Sequence, residues 1–216
     1  SLCTVASMSP PAPAEMSRFY IRGDGGYAWH DDPDMIEDST FVLENGSIDA
    51  TWTAGGGIGV YFSESFRGDI TADWRTDTGV HADNTDAVVG GPRDFDISST
   101  VVLANLYYDI NTGHSIMPYI GVGLGWASHR THEGFATVGG APAIIEAATA
   151  SDLAAAFMIG FAKDISTGLK LDVGYRYLYM GDANTGEIVG GVGSGDPVIE
   201  DITAHELRVG LRYDIW

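Results

Sequence analysis

A chain of 216 residues is long enough for one large domain or a complete β-barrel. Charged residues make up only 19% and Gly fills 29 positions, which argues against a long helical or coiled-coil protein, and 11 basic against 30 acidic residues argue against a phosphate-backbone binder, which needs a basic stripe to displace counterions. The longest apolar window, Leu153 to Ala162, falls well short of the roughly 18 residues of a membrane-spanning helix, so any membrane crossing has to be made by strands.

Ser1 to Met8 reads as the tail of an apolar secretory stretch, and Ala12-Pro13-Ala14 fits the small-residue pattern at which signal peptides are cut, with a mature start near Glu15. A disordered Pro-rich arm explains the same residues. Residues 1–17 are therefore expected to be a signal-peptide remnant or a disordered N-terminal arm, ahead of a barrel domain over 18–216. Cleavage would remove Cys3, the single cysteine, leaving nothing to mispair in an oxidising compartment. A lipid anchor on Cys3 is poorly supported, because Leu2 stands where such a cysteine needs a small residue.

From Arg18 onward the dominant period is two, the signature of half-buried strands. Strands are predicted near 18–29, 48–62, 66–75, 97–110, 118–128, 152–165, 169–181 and 204–216. The connections alternate: Ser63-Glu64-Ser65, Asn111 to Met117 and Ser166-Thr167-Gly168 are short, whereas 30–47, 76–96, 129–151 and 182–203 are long. Short turns at one rim and long loops at the other are what up-and-down antiparallel connectivity with an even strand count produces. The expected fold is all-β: an eight-stranded antiparallel up-and-down transmembrane β-barrel with short periplasmic turns and long extracellular loops. One segment competes with this scheme, since Ala141 to Ala156 is rich in helix formers around Ile144-Ile145-Glu146-Ala147-Ala148 and admits a short helix in the third long loop.

The parity of the charges decides which face meets lipid. One parity carries Phe19, Ile21 and Tyr27; Ile48, Trp52, Ile58 and Val60; Phe66, Ile70 and Trp74; Val102, Leu106 and Ile110; Ile120, Val122, Leu124 and Trp126; and corresponding residues of the later strands through Tyr213 and Ile215. Lys163 is the one charge on this parity, next to a short turn where its stem can snorkel to a headgroup. The opposite parity carries Arg22, Arg67, Arg75, Lys170, Arg176, Arg208 and Arg212 against Asp24, Asp69, Asp73, Asp109, Asp164, Asp172, Glu206 and Asp214. That set predicts a nearly neutral ionic core inside a barrel just wide enough for side chains to fill it. Lumen glycines such as Gly121, Gly123, Gly125, Gly174 and Gly210 make room for Arg and Tyr neighbours. Trp29, Trp52, Trp74, Trp126, Tyr177 and Tyr179 sort toward the long loops, and Phe19, Phe62, Phe66, Tyr108, Phe161 and Tyr213 toward the short turns and termini, as two interfacial belts would. The long loops hold eighteen carboxylates offset only by Arg93 and Arg130, so the acidic charge of the chain is expected on solvated tips outside the cell.

These residues resemble the small outer-membrane β-barrels of Gram-negative bacteria, of the OmpA-like transmembrane-domain and surface-antigen, porin-like kind. The resemblance covers about 18–216 and rests on Phe19-Tyr20-Ile21-Arg22-Gly23-Asp24-Gly25-Gly26-Tyr27, Pro118-Tyr119-Ile120-Gly121-Val122-Gly123-Leu124-Gly125-Trp126, Gly174-Tyr175-Arg176-Tyr177 and the closing Leu211-Arg212-Tyr213-Asp214-Ile215-Trp216. It implies outer-membrane lipid and lipopolysaccharide as surroundings, insertion by the barrel-assembly machinery through a C-terminal aromatic signal, and a structural, envelope-integrity or surface-interaction role with an extracellular partner at the long loops. Trp216 stands one residue out of step with the lipid-facing parity of Tyr213 and Ile215. With no sequence after the eighth strand, the peptidoglycan-binding domain of longer relatives is not expected.

The one cluster comparable to rim catalysis is Ser128, His129, His132 and Glu133, similar in type to what lipid A deacylases or acyltransferases use. Adjacent strand residues point to opposite faces, so Ser128 and His129 do not share a hydrogen bond while the strand continues. His129, His132 and Glu133 lack the helix that zinc motifs of this spacing need. Gly55-Gly56-Gly57-Ile58-Gly59 and the Gly121-x-Gly123-x-Gly125 run lie inside alternating strands with no helix after them, which rejects a dinucleotide fold. No catalytic, cofactor-binding or metal-binding residue is expected, and no nucleic acid partner. The competing readings are a narrow porin-like channel for ions or small solutes, a lipid A-modifying enzyme, and a soluble lipocalin-like carrier, the last disfavoured by the charged interior.

Overall fold

A computed structural model describes residues 19–31, 34–37, 41–86, 90–184, 186, 188–190 and 197–215. The segment 1–17 and Trp216 lie outside them. The strands are β1 (Phe19–His30), β2 (Asp34–Glu37), β3 (Phe41–Ile48), β4 (Thr51–Tyr61), β5 (Phe66–Asn84), β6 (Gly91–Asp109), β7 (Ile116–Thr131), β8 (Gly134–Val138), β9 (Ala141–Ile145), β10 (Ala148–Ser166), β11 (Leu169–Tyr179), β12 (Ala183–Asn184), β13 (Ile188–Val189), β14 (Pro197–Glu200) and β15 (Thr203–Ile215). Eight of them, β1, β4, β5, β6, β7, β10, β11 and β15, pair antiparallel in that cyclic order, and β15 closes on β1 with Phe19 opposite Ile215 and Tyr27 opposite Leu207. Closure leaves the wall without an edge, the only form in which strands satisfy their backbone groups across a bilayer.

Parity along each barrel strand follows the sequence pattern. Trp126 is 68% exposed on the outer wall, while Asp73 and Glu206 are wholly buried inside. Outward Phe19, Ile21, Trp52, Ile58, Ile70, Trp74, Leu106, Val122, Leu124, Phe157, Ile159, Leu207, Val209 and Leu211 make a continuous apolar band. Wall glycines admit the largest lumen side chains: a Cβ on Gly121 would lie 2.6 Å from Tyr107 Cδ1, and one on Gly174 2.6 Å from the Tyr119 hydroxyl.

The structure departs from the sequence expectations above the Trp belt. The second long loop is not a loop, because β5 continues to Asn84 and β6 begins at Gly91, the two paired as a hairpin. The register shifts between Arg75 and Thr78, a bulge that reverses parity, so that Arg75 and then Val80 and Ala82 all face inward. No helix forms at Ala141 to Ala156; β9 and the start of β10 occupy it, with Ala143 and Ile145 buried and Ile144 outward. Cross-strand pairing of Phe135 with Ile144 and of Gly134 with Ile145 outweighs the local helix preference. Ile48, expected to face lipid, belongs to β3 instead, and the break at Asp49-Ala50 turns it toward the interior, where it packs against the buried apolar cluster. Two short sheets lengthen the wall: β2 and β3 with β12 and β14 beside β5, and β8, β9 and β13 beside β6.

Candidate functional site

Inside the membrane segment the lumen is filled by ion pairs, eight of whose residues join in one network. Glu206 accepts from Arg75, from Arg176 Nε at 2.7 Å and from Arg208 Nη1 at 3.1 Å. Asp73 accepts from Arg176 Nη1 and Arg208 Nη2, both at 2.6 Å. Arg208 also reaches Asp24, which with Asp69 receives Arg22 at 3.1 and 3.2 Å. Toward the short-turn rim, Arg67 pairs with Asp109 at 3.0 Å, Arg212 with Asp172 at 3.4 Å and Lys170 with Asp214 at 2.8 Å. Of the fifteen charges expected in the lumen only Asp164 is misplaced, its carboxylate half exposed at the rim though still 3.1 Å from Lys170. Sharing Glu206 among three guanidinium groups, and Asp73 and Asp24 between two each, offsets a burial cost that isolated ions would not survive.

Sequence reasoning expected tyrosines beside the lumen glycines but named none of the neutral members of this core. Tyr20 donates to Asp69 at 3.0 Å, Asn105 donates to the same carboxylate at 2.7 Å, and Arg67 lies 3.9 Å over the Tyr107 ring. Their inward parity was readable, but a charge count does not register a tyrosine. Above the network the interior changes character: Val80, Phe95, Ile97, Ile145, Leu178, Met180, Ile188, Ile199 and Ile202 form an apolar plug. The long connections therefore do not end as wholly solvated tips. Arg93, counted among their exposed charges, is fully buried and donates to the carbonyl of Thr137 at 2.5 Å. Two lumen cavities lined by described residues are small, about 20 Å³ beside Arg22, Asn105, Asp172 and Arg176 and about 10 Å³ beside His30, Arg75, Ser99 and His129. Each has room for about one water molecule.

The four residues singled out as a catalytic or metal candidate do not converge. β7 runs through Thr131, so Ser128 and His129 fall on opposite faces. Ser128 meets Ser151 on the outer side at 3.2 Å. His129 is buried within; its Nε2 donates to the carbonyl of Met180 at 3.1 Å, which leaves Nδ1 to accept from Ser99 at 2.8 Å. His132 instead meets Ser98 at 3.2 Å and Asp77 at 3.4 Å, and Glu133 is exposed. Among the described residues no group of three His, Cys, Asp or Glu could hold a metal ion.

Two arrangements on the outer wall were also not foreseen. Trp29 stacks on His205 at 5.7 Å, with Tyr177 at 5.2 Å on its other side and Asp31 holding its Nε2 at 3.1 Å, a belt site that ties β1, β15 and β11. Higher up, His81 Nδ1 lies 2.7 Å from Asp94, and that hydrogen bond raises the His81 pKa above its ordinary value, against the opposing effect of burial.

An apolar outer band, a charged and filled lumen and a closed eight-strand ring together meet the pattern of the outer membrane protein beta-barrel domain, whose family model matches residues 1–214. The chain belongs to that family. This outer-membrane barrel resides in the outer membrane of a Gram-negative bacterium, among its lipids. It is similar to an uncharacterized protein of Brucella suis, at 27% identity over 94% of this chain and 87% of the other. It is also similar to a putative adhesin of Rickettsia bellii, at 22% identity over 91% and 88%. The outer membrane protein OprG of Pseudomonas aeruginosa has the same fold, with a TM-score of 0.61 at 15% identity over 92% of this barrel and 97% of that chain.

Proposed function

We propose that this outer-membrane barrel is a passive, non-catalytic wall element that supports envelope integrity and makes surface contacts through its extracellular strands. The observation that carries this reading is the bore itself: an ion-pair network spans it, and an apolar plug lies on top. The two lumen cavities described hold about one water molecule each, which supports a closed bore. The similarity to a putative adhesin supports a contact role for the part that rises above the bilayer. Insertion by the barrel-assembly machinery and lipopolysaccharide as the outer-leaflet neighbour belong to the same proposal.

Planar-bilayer recording tests it. The purified barrel is expected to give no steady conductance steps; open channels abolished by neutralising Arg176 or Asp172 would defeat the passive reading in favour of a narrow channel. Altered lipid A mass spectra that depend on His129 would defeat the non-catalytic part.

A further inference from the structure

Above the lipid band a barrel wall is expected to turn polar, and among the described residues the outer face of β8, β9 and β13 does not. Phe135 of β8 is 78% exposed, the highest value of any large apolar side chain among the described residues. Its cross-strand neighbour in β9 is Ile144, and the neighbour of Ile144 in β13 is Val189, both exposed as well. The other face of the same strands, with Ala136, Val138, Ala143, Ile145 and Ile188, is locked into the apolar plug, so a register slip cannot hide the row. Nor does lipid reach it. β8 hangs on β6 where Asp94 pairs with Phe135, whereas β6 leaves the Trp belt where Val102 pairs with Trp126. The strand between those points carries the row about 27 Å along β6, or about 20 Å along the barrel axis at ordinary tilt. A contiguous apolar row held out in water marks an interaction surface.

The charges around the row choose its occupant. Asp94 borders it on β6, Glu133 immediately precedes β8 and Glu146 immediately follows β9, all three exposed. A second copy would bring the same carboxylates face to face on a chain of formal charge −19, and an anionic membrane surface would be repelled in the same way. We propose that the outer face of β8, β9 and β13 docks a protein segment of a partner that carries aromatic or aliphatic side chains flanked by lysine or arginine. The apolar row supplies the packing and the carboxylates supply selection and salt-dependent capture. This rests on the surface-contact reading above and names its site and the chemistry of its partner.

The test uses the full chain folded in detergent and a labelled peptide of about ten residues alternating phenylalanine or valine with lysine, beside a peptide with glutamate in place of lysine, read by fluorescence anisotropy at about 50 and about 300 mM salt. The lysine peptide is expected to bind, more weakly at the higher salt, and the glutamate peptide not to bind. The triple variant Phe135→Ser, Ile144→Ser, Val189→Ser is expected to lose at least about tenfold in affinity, with its folded gel mobility unchanged. The pair Glu133→Gln and Glu146→Gln is expected to weaken binding and flatten its salt dependence. No binding to the wild-type chain, or equal binding by the triple variant, overturns the proposal. So does self-association, or binding to vesicles of anionic phospholipid, that the triple variant abolishes. Cells displaying the wild-type chain, the triple variant or no chain are compared in parallel for attachment to an epithelial monolayer. Attachment lost only when the chain is absent removes the row and spares the surface-contact reading, whereas equal attachment in all three removes that reading itself.

Discussion

Arg176 and Asp73 are 103 positions apart in the chain and 2.6 Å apart in the lumen. They project from β11 and β5, which stand on opposite sides of the eight-strand ring, so the pair is a strut across the bore. Arg176 also holds Glu206, and both carboxylates are wholly buried. Replacing Arg176 with Met takes a shared guanidinium from two buried carboxylates, leaving Arg75 and Arg208 on Glu206 and Arg208 alone on Asp73, and is expected to cost up to about 3–5 kcal/mol. Arg176→Lys keeps the charge but loses the fork that serves both acids, and should fall between. Urea midpoints of the barrel refolded in lipid vesicles measure the order; equal stability of the three proteins would mean the strut contributes nothing.

The tyrosines that pack beside these struts need missing side chains in the wall. Because a Cβ on Gly121 would sit 2.6 Å from the Tyr107 ring, Gly121→Ala is expected to destabilise the barrel by about 1–3 kcal/mol. Tyr107→Leu loses its own interactions, including the hydrogen bond from Arg22 at 3.0 Å, yet in that background the Gly121 substitution should cost less. A double-mutant cycle on unfolding midpoints gives a non-zero coupling if the two groups compete for the same space, and additive losses if they do not.

The membrane half of this fold was legible because one rule governs it. Period-two alternation with charge confined to one parity gave the eight strands, the lipid face and nearly every lumen ion from Arg22 to Asp214. The extracellular half broke that rule in specific places. At Thr76-Asp77 the bulge inverts parity, so a strand that continues to Asn84 reads as a strand that stops at Arg75. At Asp49-Ala50 a break does the same to Ile48. In 134–145 the alternation is present, but Gly134, Ala136 and Ala143 are too small to register as a buried face, and the helix preference of the alanines competes with it. Arg93 looked solvated because nothing local announces that carbonyls of distant Thr137 will receive it. The candidate site was missed for the same reason: Phe135, Ile144 and Val189 form a row only through pairing between strands.

His81 makes the extracellular wall weakly sensitive to pH. Its pKa in the fold is raised above 6.5 by the hydrogen bond with Asp94, with Asp49 and Asp96 adding to the effect. A group raised on folding contributes its full stabilisation below the unfolded value and loses it as pH climbs through the folded one. The pair is half exposed, so the effect belongs with surface pairs, at about 0–1 kcal/mol. Proton NMR of the His81 ring should give a midpoint above 6.5 that falls toward it in Asp94→Asn; an unchanged midpoint would remove Asp94 as the cause.

Val122 and Phe135 separate the two environments that the outer wall offers. Both point outward and both are exposed, but Val122 lies in mid-wall opposite Leu106 and Phe157, whereas Phe135 sits beside Asp94 above the Trp belt. Val122→Arg places a cation among acyl chains and is expected to cost about 2–4 kcal/mol of folding free energy in a bilayer. Phe135→Arg places the same cation in water next to carboxylates and is expected to stay within about 0.5 kcal/mol of the parent. Refolding titrations into phosphatidylcholine vesicles measure both. Equal penalties would put the β8–β9 hairpin inside the membrane and remove the extracellular surface, while no penalty at Val122 would contradict the assignment of the apolar wall to lipid.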